Sequence, residues 1–427
     1  MRISLVMPTW NAGPLLDEVL AAIRAQRAPA FDELVAVDSG SRDGTVERLQ
    51  RAGFTVRGIP QREFDHGATR DLGIGMSTGD VVVLLVQDAT LQGDDWLARM
   101  VEPFADPQVA GVWCRQTPRA KCQPVMRRRI NGWPGWGEGV TKKRLADGQR
   151  LADLPPFDQL MLCAFDNVAS AVRRTAWQRF PLGPRRFGED VHFGKRAIDA
   201  GWTLAHQGGA VVVHSHDRSA WSEGKRTFCD HRNLRALFGL VGIPTYAAVK
   251  AGIPDATREH CDYVRSLKLP PADEAAALSW TRDYVKWQVW GQYLGAKAGA
   301  APGGWRGALL RWLGKRLERG IGSEPPSRAA HRSGAPPVAQ TPRSSGRADV
   351  SRRGRCRRPA ALPASARVAA VRRRGRAGAG TAPAGRREPQ RRVPGGRAAQ
   401  RPRRRHPWLA RTLAGLYRRG PPRAGAP

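Results

Sequence analysis

Two groups of residues in this chain have the types and spacing to do chemistry. Asp88 closes a run of apolar residues, Val81 to Val86, and His214-Ser215-His216 closes another, Val211-Val212-Val213. One carboxylate at a strand end, with an imidazole from His214 or His216 and phosphate oxygens, suffices to hold Mn²⁺ or Mg²⁺. The second group is Glu189-Asp190, which follows a Pro/Arg/Gly-rich loop and opens a helical segment. A helix N-terminus favours the ionised form of a carboxylate, and an ionised carboxylate can accept a proton from a reacting hydroxyl. Taken alone, Glu-Asp at this position reads as a helix cap.

These residues need a scaffold that brings them together, and the first hundred residues alternate between strand and helix patterns. Ile3 to Met7, Glu33 to Val37, Phe54 to Ile59 and Asp80 to Gln87 read as strands. Between the first two, Leu15, Leu16, Val19, Leu20 and Ile23 recur at helical spacing. Strands separated by helices imply crossovers and a largely parallel sheet. In such sheets ligands bind beyond the C-terminal ends of the strands. Thr9, Asp38 and Asp88 all stand at such ends. Any one of them could simply cap the next helix, but three together predict a shared site.

From Arg115 to about Pro156 the periodicity is lost in a stretch rich in Arg, Lys, Trp, Gly and Pro, which reads as a long functional loop. Ala164 to Trp177 and Asp190 to Ala200 read as ordered again, and Trp221 to Leu317 reads as mainly helical. The net charge of +34 is uneven, because 27 of the 71 Lys and Arg residues, against 3 acidic ones, lie from Ile321 onward. From Gly322 the chain lacks Ile, Lys, Asn, Phe and Met, all with AT-rich codons. This tail reads either as a disordered basic arm or as a shifted reading frame of GC-rich DNA. A basic arm raises the alternative of a nucleic-acid-binding protein. The rest of the chain carries no nucleic-acid motif, so that partner is not expected.

Six cysteines form no C-x-x-C pair, the first ten residues do not make a signal peptide, and no window holds 18 apolar residues. The expectation is a cytoplasmic protein with reduced thiols.

Seven stretches in order resemble the family 2 glycosyltransferases of the GT-A fold, most closely the bacterial rhamnosyltransferase branch: SLVMPTWNAG, ELVAVDSGSRDGT, REFDHGATRDLGIG, LLVQDATLQGDDWL, FDNVASAVRRTAW, FGEDVHFGKRAIDAGW and VVVHSH. The resemblance covers about residues 3 to 220. It implies an α/β fold with a mixed, Rossmann-like sheet flanked by helices, followed by C-terminal helices and the disordered tail. The implied organisation is a catalytic domain over 1–220, a helical extension over 221–320 and the tail over 321–427.

The resemblance also implies roles. Thr9 and Asp38 match contacts to the nucleoside, and Arg70, with His66 beside it, matches a basic donor-binding residue. Asp88 matches the last Asp of the D-x-D motif and meets a Mg²⁺ or Mn²⁺ ion, with His214 completing the metal site. Asp190 matches the catalytic base, with Glu189 as its neighbour. Two departures stand out: Val86 replaces the first Asp of D-x-D, and Asp71 stands where Asn is expected near the donor phosphates. The implied reaction is a single inverting displacement, moving a sugar (rhamnose favoured, a UDP- or GDP-sugar as the alternative) from a nucleotide donor to a glycan or polyprenyl-linked acceptor in cell-surface polysaccharide synthesis.

On the acceptor side, Arg127-Arg128-Arg129 could meet a lipid diphosphate, and Trp133 and Trp136 could stack on a sugar ring; a solvated loop with structural Trp fits equally. Trp305, Leu309, Leu310, Trp312, Leu313 and Leu317 lie among Arg and Lys. They describe a helix that either lies on the inner face of an anionic membrane or packs on the core.

Overall fold

The structure, a computed structural model, describes residues 1–132, 138–300 and 303–319. The N-terminal part runs β1 (Ile3–Thr9), α1 (Leu15–Arg24), β2 (Glu33–Asp38), α2 (Thr45–Arg51), β3 (Thr55–Gly58), α3 (His66–Met76), β4 (Val81–Leu85), β5 (Thr90–Leu91) and α4 (Trp96–Val101). The middle continues with β6 (Val109–Thr117), α5 (Pro124–Asn131), β7 (Val140–Lys143), α6 (Pro156–Cys163), β8 (Ala169–Arg173), α7 (Arg174–Arg179), α8 (Glu189–Asp199) and β9 (Thr203–Val213). Four helices follow: α9 (Ala220–Phe238), α10 (Tyr246–Ser266), α11 (Pro271–Gly299) and α12 (Gly304–Leu317).

The local causes are those visible in the residues. In α1 the buried Leu16, Val19, Leu20 and Ile23 form one stripe at helical spacing. Every residue of β4 is buried, as expected for a central strand covered on both faces. The side chain of Asp65 starts α3 by accepting hydrogen bonds from the backbone N–H groups of Gly67 and Ala68.

The sheet is mixed, with strand order β3-β2-β1-β4-β8-β6-β9-β5 and β7 paired to β9. β1, β2, β3 and β4 are parallel, β8 is antiparallel to both β4 and β6, and β6 and β9 are parallel. It follows that β1, β2, β4, β6 and β9 all end at one edge, while β8 starts there. The long stretch expected to be irregular after Arg115 is partly regular: β6 runs on to Thr117, and α5, β7 and α6 follow. Pairing with β9 supplies that order, which no local periodicity announces.

Two apolar layers cover the sheet. One packs α1 and α4 against it through Leu16, Leu20, Trp96 and Met100; the other packs α3, α7 and α8 through Ile74, Ala176 and Phe193. A third cluster joins α9, α10 and α11. α9 and α11 touch backbone to backbone along a glycine seam. A Cβ at Gly291, Gly295 or Gly299 would stand 2.8, 2.4 or 2.3 Å from the carbonyl oxygens of Gly224, Phe228 and Arg232. α12 lies against α9 and α11 and leaves Trp305, Leu309 and Trp312 exposed along one side. The tail from 321 lies outside the described residues.

Candidate functional site

Strand order alone carries the candidate residues to one place. Thr9 ends β1 directly opposite Asp38, the end of β2, and its hydroxyl donates to the Asp38 carboxylate at 2.9 Å. Asp38 accepts further bonds from the Gly40 and Ser41 N–H groups and from the Ser41 hydroxyl. Both residues are buried, and both oxygens of Asp38 are occupied in shaping the loop after β2. Thr9 and Ser39 line a cavity of about 1460 Å³ at this edge, and Asp38 stands behind them.

Asp88 lies three residues beyond β4, and His214 directly follows β9. The structure brings both together, and adds His216. His214 Nε2 is 3.7 Å from one Asp88 oxygen and His216 Nδ1 is 3.4 Å from the other. The three ligand atoms lie within 4.8 Å of one another. The Nδ1 of His214 faces Gln116 Oε1 at 3.0 Å, and Gln116 in turn donates through Nε2 to Asp166 at 2.5 Å. That order of donors assigns the His214 proton to Nδ1 and leaves the Nε2 lone pair facing Asp88. Burial holds both imidazoles below their ordinary pKa, against the Asp88 charge at His214; at His216 the Arg218 charge adds to burial. A carboxylate and two neutral imidazoles, one oriented from behind, are a donor set that fits a divalent cation.

Glu189 and Asp190 open α8 after Gly188, whose φ of 73° makes the turn into the helix. Their environments differ. Glu189 is buried and sits 3.1 Å from the Arg70 guanidinium, with Asn167 donating to the same oxygen at 3.2 Å. Burial pushes its carboxyl up, but the charge of Arg70, the neighbouring His66 and the Asn167 bond prevail and hold it below the usual range. Asp190 is half-buried and accepts from the backbone N–H of Val191 at 2.7 Å. Burial, then the charges of Glu189 and Asp166, push it well above the usual carboxylate range. The helix N-terminus was expected to keep the pair ionised. It is outweighed at Asp190, because a helix end supplies a partial charge while Glu189 supplies a full one.

Three further residues take defined partners. Arg70 lines the cavity, but its charge is matched by Glu189, and it also donates to the carbonyl oxygens of His66 and Asn167. It therefore braces Glu189. His66 is its partner, with Nδ1 3.3 Å from the guanidinium, and burial holds it at about 4. Asp71 neither faces donor phosphates nor solvent: it accepts from Trp177 Nε1 and from the Leu182 and Gly183 N–H groups, tying α3 to the loop before α8. Arg128 pairs with Glu259 at 3.2 Å and lies over the Tyr263 ring, whereas Arg129 lines the cavity. A helix turns neighbouring residues about 100° apart, so the three arginines face different ways. Trp133 and Trp136 lie outside the described residues.

Gln116, Asp166 and Asn167 were not singled out from sequence. Asp166 and Asn167 fall inside the stretch FDNVAS, which was a usable signal; Gln116 had none, since it is placed by the pairing of β6 with β9.

A mixed sheet with a cation-fitting triad at one edge and a carboxylate pair of split acidity beside it has the make-up of a transferase site for a phosphorylated donor. Residues 4–165 match the family described as Glycosyl transferase family 2. The O-antigen chain rhamnosyltransferase RfbN of Salmonella typhimurium is 32% identical over 234 residues, covering 53% of this chain and 71% of the relative. The O-antigen chain rhamnosyltransferase WbaN of Salmonella anatum is 29% identical over 231 residues, covering 53% and 70%. The mannosyltransferase PcManGT from Pyrobaculum calidifontis, solved with GDP-Man and Mn²⁺, aligns at 21% identity and a TM-score of 0.37 over 74% of this chain and 80% of that one. That overlay is loose, and the fold rests on the strand order described above. The chain belongs to family 2 of the glycosyltransferases, with rhamnosyltransferases of O-antigen synthesis among its relatives.

Proposed function

We propose that this chain is an inverting glycosyltransferase that moves a sugar, with rhamnose favoured, from a nucleoside diphosphate donor to a glycan or polyprenyl-linked acceptor. The observation that carries the reading is the meeting of Asp88, His214 and His216 with Glu189-Asp190 on one cavity. The rhamnosyltransferase names of two relatives support the choice of sugar.

In this reading the nucleoside lies against Thr9 and Ser39, on the loop that Asp38 shapes. Asp88, His214 and His216 would hold Mn²⁺ or Mg²⁺, which supplies positive charge to the departing diphosphate. Asp190 accepts the proton of the acceptor hydroxyl as its oxygen bonds to the anomeric carbon and the bond from that carbon to the diphosphate breaks. A raised pKa makes ionised Asp190 a stronger proton acceptor. Glu189, fixed by Arg70 and Asn167, is a positioning residue whose charge helps hold the Asp190 pKa up. Arg129, not Arg128, faces the acceptor side. Among the described residues no helix is long and apolar enough to cross a membrane; the exposed Trp305, Leu309 and Trp312 on a basic helix support resting on an anionic surface.

The test is donor binding by calorimetry on the full chain. dTDP-rhamnose, UDP-glucose, UDP-GlcNAc and GDP-mannose are titrated with and without Mn²⁺, alongside Asp88→Ala. One donor should bind in a Mn²⁺-dependent way and weaken at least about tenfold in the variant. Equal binding by wild type and Asp88→Ala would sink the metal assignment, and binding of none would sink the transferase reading.

A further inference from the structure

The cavity extends beyond the strand edge into the C-terminal helices. There α9 presents a polar stripe, Ser222, Arg226, Asp230 and Asn233, at the three- and four-residue spacing of one helix face. The other side of α9 is locked against the glycine seam of α11. Its cavity face is further fixed by Asn233, whose side-chain amide donates to the Phe187 carbonyl at 3.0 Å, just before Gly188. A polar stripe held inward by backbone packing faces the cavity for a reason other than solvation.

Arg226 and Asp230 are one turn apart and opposite in charge, yet no ion pair joins them among the described residues. The Arg226 guanidinium lies over the Phe187 ring at 5.3 Å, and its charge is felt at His66, His214 and His216, on the strand-edge side. Asp230 feels the charge of Arg129 of α5 as well as that of Arg226. His231 on α9, Tyr284, Gln288 and Gln292 on α11 and His260 on α10 line the same cavity. Tyr284 is engaged by Gln288 at 2.6 Å and by Arg129. His231 Nδ1 is buried without a hydrogen-bond partner among the described residues. Leu237, Leu240, Val241 and Val289 form an apolar wall to this end.

We propose that this end of the cavity is a subsite for an uncharged sugar ring of the acceptor, with Asp230 accepting hydrogen bonds from its hydroxyls. The proposal rests on the transferase reading for the word acceptor, but the binding itself does not. The chemistry selects a neutral polyol over a phosphate. The charges that act on Asp230 are the Arg129 and Arg226 guanidiniums and the Glu223 carboxylate, so that two cations balance two anions there, and the other polar groups named are neutral. Burial pushes Asp230 up to about 6, against the charges of Arg129 and Arg226 and with that of Glu223, and holds His231 at about 4. A phosphate would meet the Asp230 charge, whereas a pyranose offers hydroxyl donors to a carboxylate and an apolar face to a wall of Leu and Val. Leaving a carboxylate and a ring nitrogen unpaired in a half-dry cavity is unfavourable until such a ligand arrives.

The experiment is ligand-observed NMR on the full chain with methyl α-L-rhamnopyranoside, methyl α-D-mannopyranoside and methyl α-D-galactopyranoside, with inorganic phosphate as the competing probe. At least one glycoside should bind at pH 7.5 and weaken about tenfold by pH 5 as Asp230 takes up a proton. In Asp230→Asn, an isosteric change, binding should be weakened about tenfold at pH 7.5 and be flat with pH. Should that variant fail to fold, the pH course of the wild type decides alone. dTDP, UDP and GDP binding with Mn²⁺ is measured on the same samples and is expected to be unchanged by Asp230→Asn. Loss of nucleotide binding in the wild type would count against the transferase reading and leave the subsite standing. No glycoside binding, pH-independent binding by the wild type, or displacement by phosphate would overturn the subsite.

Discussion

Replacing Glu189 by Gln keeps the shape of the side chain and removes one charge from the centre of the site. Glu189 and Arg70 are 7% and 5% exposed at 3.1 Å, so solvent screens neither. The variant leaves the Arg70 guanidinium with the His66 and Asn167 carbonyl oxygens, at 3.0 and 3.4 Å, but without its paired anion. Breaking a buried pair in this way costs about 3–5 kcal/mol, and the two retained carbonyl bonds place the expectation at the lower end. At roughly 2–4 °C per kcal/mol for a domain of this size, the melting temperature should fall by about 6–12 °C. The pH dependence has a defined sign. The folded pKa of Glu189 lies below its ordinary value of 4.5, so its stabilisation is present above that pH and lost as pH falls through the folded value. Asp190 is held up partly by the Glu189 charge. Removing that charge lowers the Asp190 pKa, so the acid limb of the pH profile of kcat/KM moves to lower pH, whatever happens to the maximum rate. The assays are thermal melting and a pH profile of donor turnover. An unchanged melting temperature would refute the ion-pair reasoning, and an acid limb that stays put or moves up would refute the coupling of the two carboxylates.

Two other perturbations probe the scaffold. Gly295→Ala should destabilise the protein by about 1–3 kcal/mol, because its Cβ would stand 2.4 Å from the Phe228 carbonyl and must push α11 off α9; chemical denaturation measures it, and a neutral result would mean the seam is not tight. His66, His192, His206 and His231 are each held at about 4, below the ordinary 6.5. In the unfolded chain they take up protons first, so stability should fall as pH drops from about 6.5 toward about 4; a melting temperature flat across that window would show that these rings are not held neutral.

Much of the fold was legible from residues alone. The apolar run Val81–Leu85 could only be a buried strand, the Leu16/Val19/Leu20/Ile23 stripe could only be one face of a helix, and the ends of β1 and β2 carry Thr9 and Asp38 where parallel strands put ligand-facing groups. The triad was partly legible too, since Asp88 and His214 each follow an apolar run that had to be a strand. These inferences hold because side-chain periodicity and strand ends are properties of a short stretch of chain. Other features were decided only when distant stretches met. The order β4-β8-β6-β9 sets His214 and His216 beside Asp88 and places Gln116 behind His214. Packing of α3 on α8 gives Arg70 to Glu189, and so splits two adjacent carboxylates into one whose pKa is lowered and one whose pKa is raised. Asp71 and Arg128 changed meaning for the same reason, each finding a partner more than a hundred residues away. Sequence by itself determined which residues could carry charge or bind a ligand. Which charges are matched within the protein and which are left facing the cavity depends on distances of a few ångströms between segments far apart in the chain, and only the tertiary structure sets those.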